Sequence, residues 1–298
     1  MNLTRNLKNR IIAVLCAALM ITATAAAASV PTYAGIFTGD KPYLSLGADL
    51  TDSEKQTVYS LLGVDSGDLS DYGQETVTNA EEHEYLDDYI PSSQIGTRAL
   101  SSVLIEKGDS GSGIQVETKN ITYCTEGMYQ NALATVGAKD IKVTVVGPTE
   151  ISGTAALVGA IKAYSGMTGK HVSDSQIDGA VDELTTTGDL EQNTDADPEA
   201  VEGMIADLKE QVASGDVSTD EISQAIEETA SKYGVTLTDA QKQQLQSLLE
   251  KLSGLDLNLS ALKSQASQLL DKLGDMGINV ENGKNLWQRF VAWIQSVM

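Results

Sequence analysis

The apolar pattern of the chain changes near residue 173, and this change most restricts the fold. Before it, strand-like segments alternate with helical stripes, and residues 140–146, with three valines, form the clearest strand. After it, apolar residues recur only at helical spacing, as in residues 201–212. The sequence therefore predicts an α+β fold, in which a small mixed or antiparallel sheet with packed helices is followed by an all-helical C-terminal region.

Helix-capping residues mark where the predicted helices begin. These residues are Thr51, Asn79, Thr125, Ser152 or Thr154, Asp197, Ser218, Thr238 and Ser260. In the helix after Thr154, the small residues Ala155, Gly159 and Ala163 share one face, which lets that helix lie close to a sheet or to another helix. The β-rich runs 97–106 and 114–119 are joined by a glycine-rich connector, and this arrangement predicts a β-hairpin.

The first 34 residues have the layout of a secretory signal peptide. Three basic residues precede an apolar run over residues 11–28, and small residues allow cleavage after Ala28 or after Ala34. Retention of the run as a membrane anchor stays open as an alternative. Cleavage after Ala34 would leave Cys124 as the single cysteine, so the exported chain could form no internal disulfide, and we expect a buried thiol there.

The charge of the chain excludes one class of partner. Its 298 residues contain 20 Lys and Arg against 42 Asp and Glu, a net charge of −22, which becomes −25 without residues 1–34. Nucleic acid is excluded because phosphate binding needs clustered bases. The acidity is concentrated in residues 174–228, which hold 17 acids and one base, Lys209. Loose calcium binding by Asp195, Asp197 and Glu199 stays open, although no EF-hand spacing is present.

The C-terminal segment 283–298 is predicted to be an amphipathic helix. Its apolar face includes Trp287, Phe290, Trp293 and Ile294. Sixteen residues of helix span only about 24 Å, too short to cross a bilayer. The segment either docks on the body of the protein or contacts a membrane surface, the cell wall or a protein partner. The predicted organisation is thus a signal peptide (1–34), an α+β domain (35–170), an acidic helical region (171–282) and this helix.

Familiar catalytic motifs are incomplete in this chain. Gly108 to Ser112 resembles the nucleophile segment of a trypsin-like protease, but too little chain precedes it for that fold. His83 and Glu84 begin a metalloprotease-like motif whose second histidine is replaced by Asp87. His83, Glu84 and Arg98 are the candidate pocket residues, and an ion pair of Arg98 with an Asp or Glu is the simpler reading of that arginine.

Several segments together resemble the YpuA-like family, known as domain of unknown function 1002. They are LGADLT (46–51), TNAEEHEYL (78–86), QIGTRA (94–99), GIQVET (113–118), NAL (131–133), SGTAAL (152–157) and LTDAQ (237–241). The resemblance implies a secreted protein of Firmicutes, and it implies no activity, cofactor or catalytic residue. It does imply that segments 81–86 and 94–98 are family features.

The sequence thus favours a secreted or cell-envelope protein that binds a partner without catalysis and needs no cofactor. The alternative is an extracellular hydrolase or metal-dependent enzyme that uses region 81–98. The two hypotheses differ in one structural expectation, because the enzyme requires a pocket that gathers His83, Glu84 and Arg98.

Overall fold

The computed structural model describes residues 41–276, and its β-structure is a five-stranded mixed sheet. The strands are β1 (Tyr43–Gly47), β2 (Gly73–Val77), β3 (Ser102–Lys107), β4 (Ile114–Ile121) and β5 (Ile141–Ile151), in the order β2-β1-β3-β5-β4. β2 is parallel to β1, β4 is parallel to β5, and β3 is antiparallel to both of its neighbours. The predicted α+β class is confirmed, and of the two predicted sheet types the mixed one is present.

The predicted hairpin between β3 and β4 is wrong, because β5 lies between these two strands. The glycine-rich connector instead surrounds the residue that precedes β5: the backbone N–H groups of Gly111 and Gly113 donate to Asp140 Oδ1 at 3.0 and 3.1 Å. β5 carries the longest run of buried residues of the sheet, because helices cover both faces of the sheet at this strand.

Ten α-helices are present in the described part of the chain. They are α1 (Asp52–Leu62), α2 (Asn79–Leu86), α3 (Ser92–Ile95), α4 (Glu126–Thr135), α5 (Thr154–Thr168), α6 (Asp174–Asn193), α7 (Pro198–Ser214), α8 (Ile222–Tyr233), α9 (Asp239–Ser253) and α10 (Leu259–Asp275). Capping by Thr51, Thr125 and Thr238 is confirmed. Three predicted caps are wrong by one or two residues: Thr78 caps α2 instead of Asn79, Gly153 is the N-cap of α5 instead of Ser152 or Thr154, and Asn258 caps α10 instead of Ser260.

Helices cover both faces of the sheet. On β3, Val103 and Ile105 point into a core formed with α4 and α5, whereas Leu104 points to the other face and packs in a core with α1. This division follows from the two-residue repeat of a strand. The first of these cores extends beyond residue 170, since Val181 and Leu184 of α6 belong to it.

The remaining helices form a bundle with its own core, which confirms the all-helical C-terminal region. Leu190 of α6 joins this bundle core, together with apolar residues of α7, α8, α9 and α10. Helix α6 therefore contributes to the sheet core with its middle and to the bundle core with its end. Helix α10 has the same double role through Leu262 and Leu273, so α6 and α10 both link the sheet core to the bundle core.

Helix α5 lies as close to the sheet as its small residues predict. A Cβ atom on Gly159 would be 2.7 Å from Ser45 Oγ and 3.2 Å from Ser45 Cβ. We expect Gly159→Ala to lower the free energy of unfolding by about 1–2 kcal/mol in urea denaturation, because the clash outweighs the gain in helix propensity. Gly274→Ala in α10 is the matched control, since nothing described lies within 4 Å of a Cβ there. Equal effects of the two substitutions would contradict close α5–sheet packing.

Candidate functional site: a polar cleft along helix α6

A cavity of about 380 Å³ lies beside helix α6 and is the strongest candidate site. Four parts of the chain line it: the segment from Asp88 to Gln94 after α2, Tyr123 ahead of α4, one face of α6, and Gln244 of α9. We call it the first cavity. Region 81–98, which the sequence singled out, therefore does border a cavity, but through its residues 88–94.

Helical spacing explains how α6 contributes one wall. Asp182, Thr185, Thr186, Asp189 and Gln192 all line the cavity, and their separations of three, four and seven residues place them on one face. At 1.5 Å per residue, the ten steps from Asp182 to Gln192 extend about 15 Å along the helix axis. The first cavity is thus elongated along α6.

Tyr123 is held over α6 by the absence of a side chain at Gly188. A Cβ atom on Gly188 would be 2.6 Å from the Tyr123 hydroxyl oxygen and 2.9 Å from Met128 Cε. Burial raises the pKa of Tyr123, so its hydroxyl stays protonated at neutral pH and can both donate and accept a hydrogen bond. The ring supplies an apolar surface beside this polar group.

A charged network fixes the opposite end of the first cavity. The Tyr89 hydroxyl donates to Asp178 and accepts from Lys251 Nζ at 3.1 Å. The same ammonium group lies 2.5 Å from Asp182 Oδ2 and 5.1 Å from the centre of the Tyr89 ring. Lys251 therefore already neutralises Asp182, which leaves Asp88 and Asp189 as the other carboxyl groups of the lining.

Three uncharged polar side chains of the lining have no hydrogen-bond partner within residues 41–276. They are the side-chain amides of Gln94 and Gln192 and the hydroxyl of Tyr123. Amides carry two donors and an acceptor, so these groups can bind a ligand without first breaking a protein hydrogen bond. Convergent free polar groups in a concave surface are the usual arrangement of a binding site.

A second cavity, of about 550 Å³, begins where the first one ends. It is lined by residues 192–196 at the end of α6, by the α8–α9 connection, including Thr236, and by Gln241 in the first turn of α9. Gln192 lines both cavities, which makes them neighbours along the α6 axis. Within the described residues, neither lining contains Lys, Arg or His. We call the two cavities together the α6 cleft.

The residues that the sequence proposed for a pocket lie elsewhere, and none of them lines the α6 cleft. The ring nitrogens of His83 lie 2.8 Å from Asp87 Oδ1 and 3.0 Å from the Gly96 carbonyl oxygen. Both partners are acceptors, so both nitrogens can donate only when the ring is protonated; the Asp87 bond, followed by the Gly96 bond, accordingly raises the pKa of His83. Glu84 is exposed on α2.

Arg98 forms an ion pair with Glu54 and a hydrogen bond to the backbone. Its Nη2 donates to Glu54 Oε2 at 2.8 Å and to the Asp49 carbonyl oxygen at 2.7 Å. The expected ion pair with an acid is therefore confirmed. His83 and Arg98 tie neighbouring elements together, and within residues 41–276 the geometry assembles no hydrolase site from His83, Glu84 and Arg98.

Three further predictions concern the calcium site, the C-terminal contact and the lone cysteine. Within residues 41–276, no group of three or more His, Cys, Asp and Glu side chains could hold a metal ion, and loose calcium binding by Asp195, Asp197 and Glu199 stays a prediction. Trp287, Phe290, Trp293 and Ile294 lie outside the described residues, as does the signal segment. Cys124 is free and buried, and burial raises the pKa of its thiol, as expected for an inert core cysteine.

Acidic side chains buried between helices are the feature that the sequence reasoning missed. Glu183 and Lys209 are both fully buried, with Glu183 Oε1 2.6 Å from Lys209 Nζ. Lys209 Nζ also donates to the Asn131 carbonyl oxygen at 2.9 Å and to Thr135 Oγ1 at 3.2 Å. The sequence did contain an indication of this buried pair, because Lys209 is the single base of residues 174–228 and lies within the apolar stripe of α7.

Glu202 and Glu191 form a second buried acidic feature, beside the start of α4. Glu202 accepts from Thr125 Oγ1 at 2.5 Å through Oε1, while its buried Oε2 has no hydrogen-bond partner within residues 41–276. Burial raises the pKa of Glu202 to about 7. Burial and then the nearby charge of Glu202 raise the pKa of Glu191 to about 8. Neither carboxyl lines the α6 cleft.

Comparisons with known proteins identify the family of this chain but no activity. Residues 46–269 match the family described as "Protein of unknown function (DUF1002)". The "Uncharacterized protein YpuA" of Bacillus subtilis (strain 168) is 40% identical over 256 residues, which cover 85% of this chain and 86% of that protein. No solved structure matches the chain significantly. Within residues 41–276, none of the helices has the length and apolar composition that a membrane span requires.

Proposed function

The chain belongs to the DUF1002 family, and on that premise we propose that it is a secreted protein of the cell envelope that binds a cell-wall polymer in the α6 cleft without catalysing a reaction. The observation that carries the proposal is the convergence of Gln94, Gln192 and Tyr123 on one cavity with their polar groups unpartnered. Gln94 and Tyr123 are half-buried and Gln192 is exposed, so a ligand would replace water at these groups without breaking a hydrogen bond of the protein.

The N-terminal segment supports secretion. Its basic start, apolar run and small residues before Ala28 and Ala34 are typical of a cleaved signal peptide. Cys124 is the single cysteine of residues 41–276 and is buried in the core, which suits a protein that folds outside the cell without a disulfide.

The positions of the perturbed acids support binding over catalysis. Catalytic acids and bases usually have shifted pKa values and line a cleft. Here the carboxyls of Glu82, Glu191, Glu202 and Glu210 have raised pKa values, chiefly because they are buried, and none of them lines the α6 cleft. The cleft residues are suited to hydrogen bonding and stacking.

Sedimentation with purified cell-wall sacculi tests the proposal, using the chain that begins after Ala34. We expect the chain to pellet with the sacculi, and Tyr123→Phe combined with Gln192→Ala to weaken this binding by about tenfold or more, since each lost hydrogen bond contributes about 1 kcal/mol. Gln243→Ala is the matched control, because Gln243 is exposed on α9 and lines neither cavity. Wild-type sedimentation of the double variant would refute the role of the cleft.

The same assay separates the C-terminal contact from the cleft. We propose that Trp287, Phe290, Trp293 and Ile294 provide an apolar contact to a membrane surface or a partner. Deletion of residues 284–298 should then reduce sedimentation with lipid vesicles and leave sedimentation with sacculi unchanged. An unchanged distribution in both would remove the membrane role of this segment.

A further inference from the structure

We propose that the two cavities of the α6 cleft act as one extended site for a linear, uncharged sugar chain that carries acetamido groups. This inference rests on the proposed wall-binding function and names the ligand class. It depends on three features of the cleft: its length, the kind of polar groups along it, and its charge.

The length of the cleft favours a chain over a compact molecule. The first cavity extends along α6 to Gln192, and the second continues from Gln192 through Asp195 to the α8–α9 connection. The Gln241 amide holds this connection against the end of α6 by donating to the Asn193 carbonyl oxygen at 3.2 Å. A ligand that occupies both cavities must pass Gln192, and a linear polymer can do so.

The lining groups match sugars that carry both hydroxyl and amide groups. Gln94 and Gln192 line the first cavity with free carboxamides, and Gln192 also lines the second. The carboxamides of Gln244, Asn193 and Gln241 line the cleft as well, but they already donate to groups of the protein. Carboxamides donate and accept at once, so they can pair with an acetamido group or with hydroxyl groups. The Tyr123 ring offers an apolar face against which the C–H face of a sugar ring can pack.

The charge of the cleft argues against an anionic polymer. Within the described residues no cationic side chain lines either cavity, whereas Asp88, Asp189 and Asp195 do. A phosphate-bearing chain would therefore meet repulsion without a compensating base. Asp182 already has Lys251 as its counter-ion, which reduces the attraction of the cleft for small cations.

Titration of the mature chain with chitobiose and with chitohexaose, the two-unit and six-unit oligomers of N-acetylglucosamine, tests the inference calorimetrically. We expect the hexasaccharide to bind at least about tenfold more tightly, because it joins contacts in both cavities. Tyr123→Phe should weaken binding of both oligomers. Thr236→Ala, which alters only the second cavity, should weaken binding of the hexasaccharide alone. Gln243→Ala should change neither affinity.

The outcomes distinguish this inference from the proposed function. Wall binding that depends on the cleft, without oligosaccharide binding, would overturn the sugar-chain inference and leave the proposed function standing. Equal affinities for the two oligomers would overturn the extended site. Tighter binding of poly(glycerol phosphate) than of chitohexaose would overturn the uncharged ligand class. A wild-type chain that binds neither the sacculi nor the oligosaccharides would refute both proposals.

Discussion

Replacing Lys209 by Met is expected to lower the free energy of unfolding by about 3–5 kcal/mol, the usual cost of removing one partner of a buried ion pair. Lys209 and Glu183 are both fully buried, 2.6 Å apart between Nζ and Oε1. Without the ammonium group, Glu183 retains only the hydrogen bond from Thr135 Oγ1 at 2.5 Å. Its carboxyl must then be either charged and uncompensated or protonated. Urea denaturation monitored by circular dichroism measures the loss.

A control variant separates the effect of breaking the buried ion pair from the effect of removing any lysine ammonium group. Lys242 on α9 lies 2.7 Å from Glu227 on α8, but both side chains are partly exposed. Lys242→Met should therefore change stability far less than Lys209→Met, because solvent screens a surface ion pair. A loss at Lys209 no larger than the loss at Lys242 would contradict the buried-pair interpretation.

A double variant tests whether the uncompensated carboxyl of Glu183 causes the loss of stability. Glu183→Gln with Lys209→Met removes both charges and keeps a side-chain oxygen that can accept from Thr135 Oγ1. We expect it to be more stable than Lys209→Met alone, because the uncompensated carboxyl is gone. A double variant as unstable as the sum of the two single variants would instead show that the two residues act independently.

Most of the fold was predictable because it follows local rules. Thr51, Thr125 and Thr238 cap helices through contacts three residues away, and Gly159 leaves room for the sheet through a spacing visible in the sequence. The order of strands was not predictable in the same way. β5 separates β3 from β4 through pairings between distant residues, and a glycine-rich connector looks the same whether or not it closes a hairpin.

The α6 cleft was beyond the reach of sequence patterns for a similar reason. Its first cavity combines residues 88–94, Tyr123 and one face of α6, which are separated widely along the chain. A polar helix face normally indicates solvent exposure, so Asp182, Asp189 and Gln192 carried no distinctive signal. His83 and Arg98 were candidate pocket residues because histidine and arginine are rare in this chain. In the structure both residues join neighbouring elements.

Stability is expected to fall as the pH rises from about 4.5 to about 8, owing to the buried acids beside the start of α4. In the folded protein, burial raises the pKa of Glu202 from 4.5 to about 7. Between these two values the folded state holds a proton that the unfolded state has released, so raising the pH favours unfolding. The contribution is fully present below pH 4.5 and is lost once the pH passes about 7. A shift of this size corresponds to about 3 kcal/mol.

Glu191 acts in the same direction, with a pKa of about 8 that is caused by burial and then by the charges of Glu202 and Glu199. Lys272 offsets part of the shift at Glu202. Other acids have pKa values lowered from 4.5, among them Glu54 and Glu227, and they give the opposite pH dependence below about pH 4.5. The profile of the whole chain is the sum of these effects, so the contribution of Glu202 has to be measured as a difference.

Glu202→Gln provides this difference, since an uncharged amide resembles the protonated acid and its oxygen can still accept from Thr125 Oγ1. We expect the variant to be more stable than wild type at pH 8 by up to about 3 kcal/mol and nearly equal at pH 4.5. Glu228→Gln, at an exposed position of α8, should follow the wild-type profile. A stability difference between Glu202→Gln and wild type that stays constant from pH 4.5 to 8 would mean that Glu202 holds no proton in the folded state.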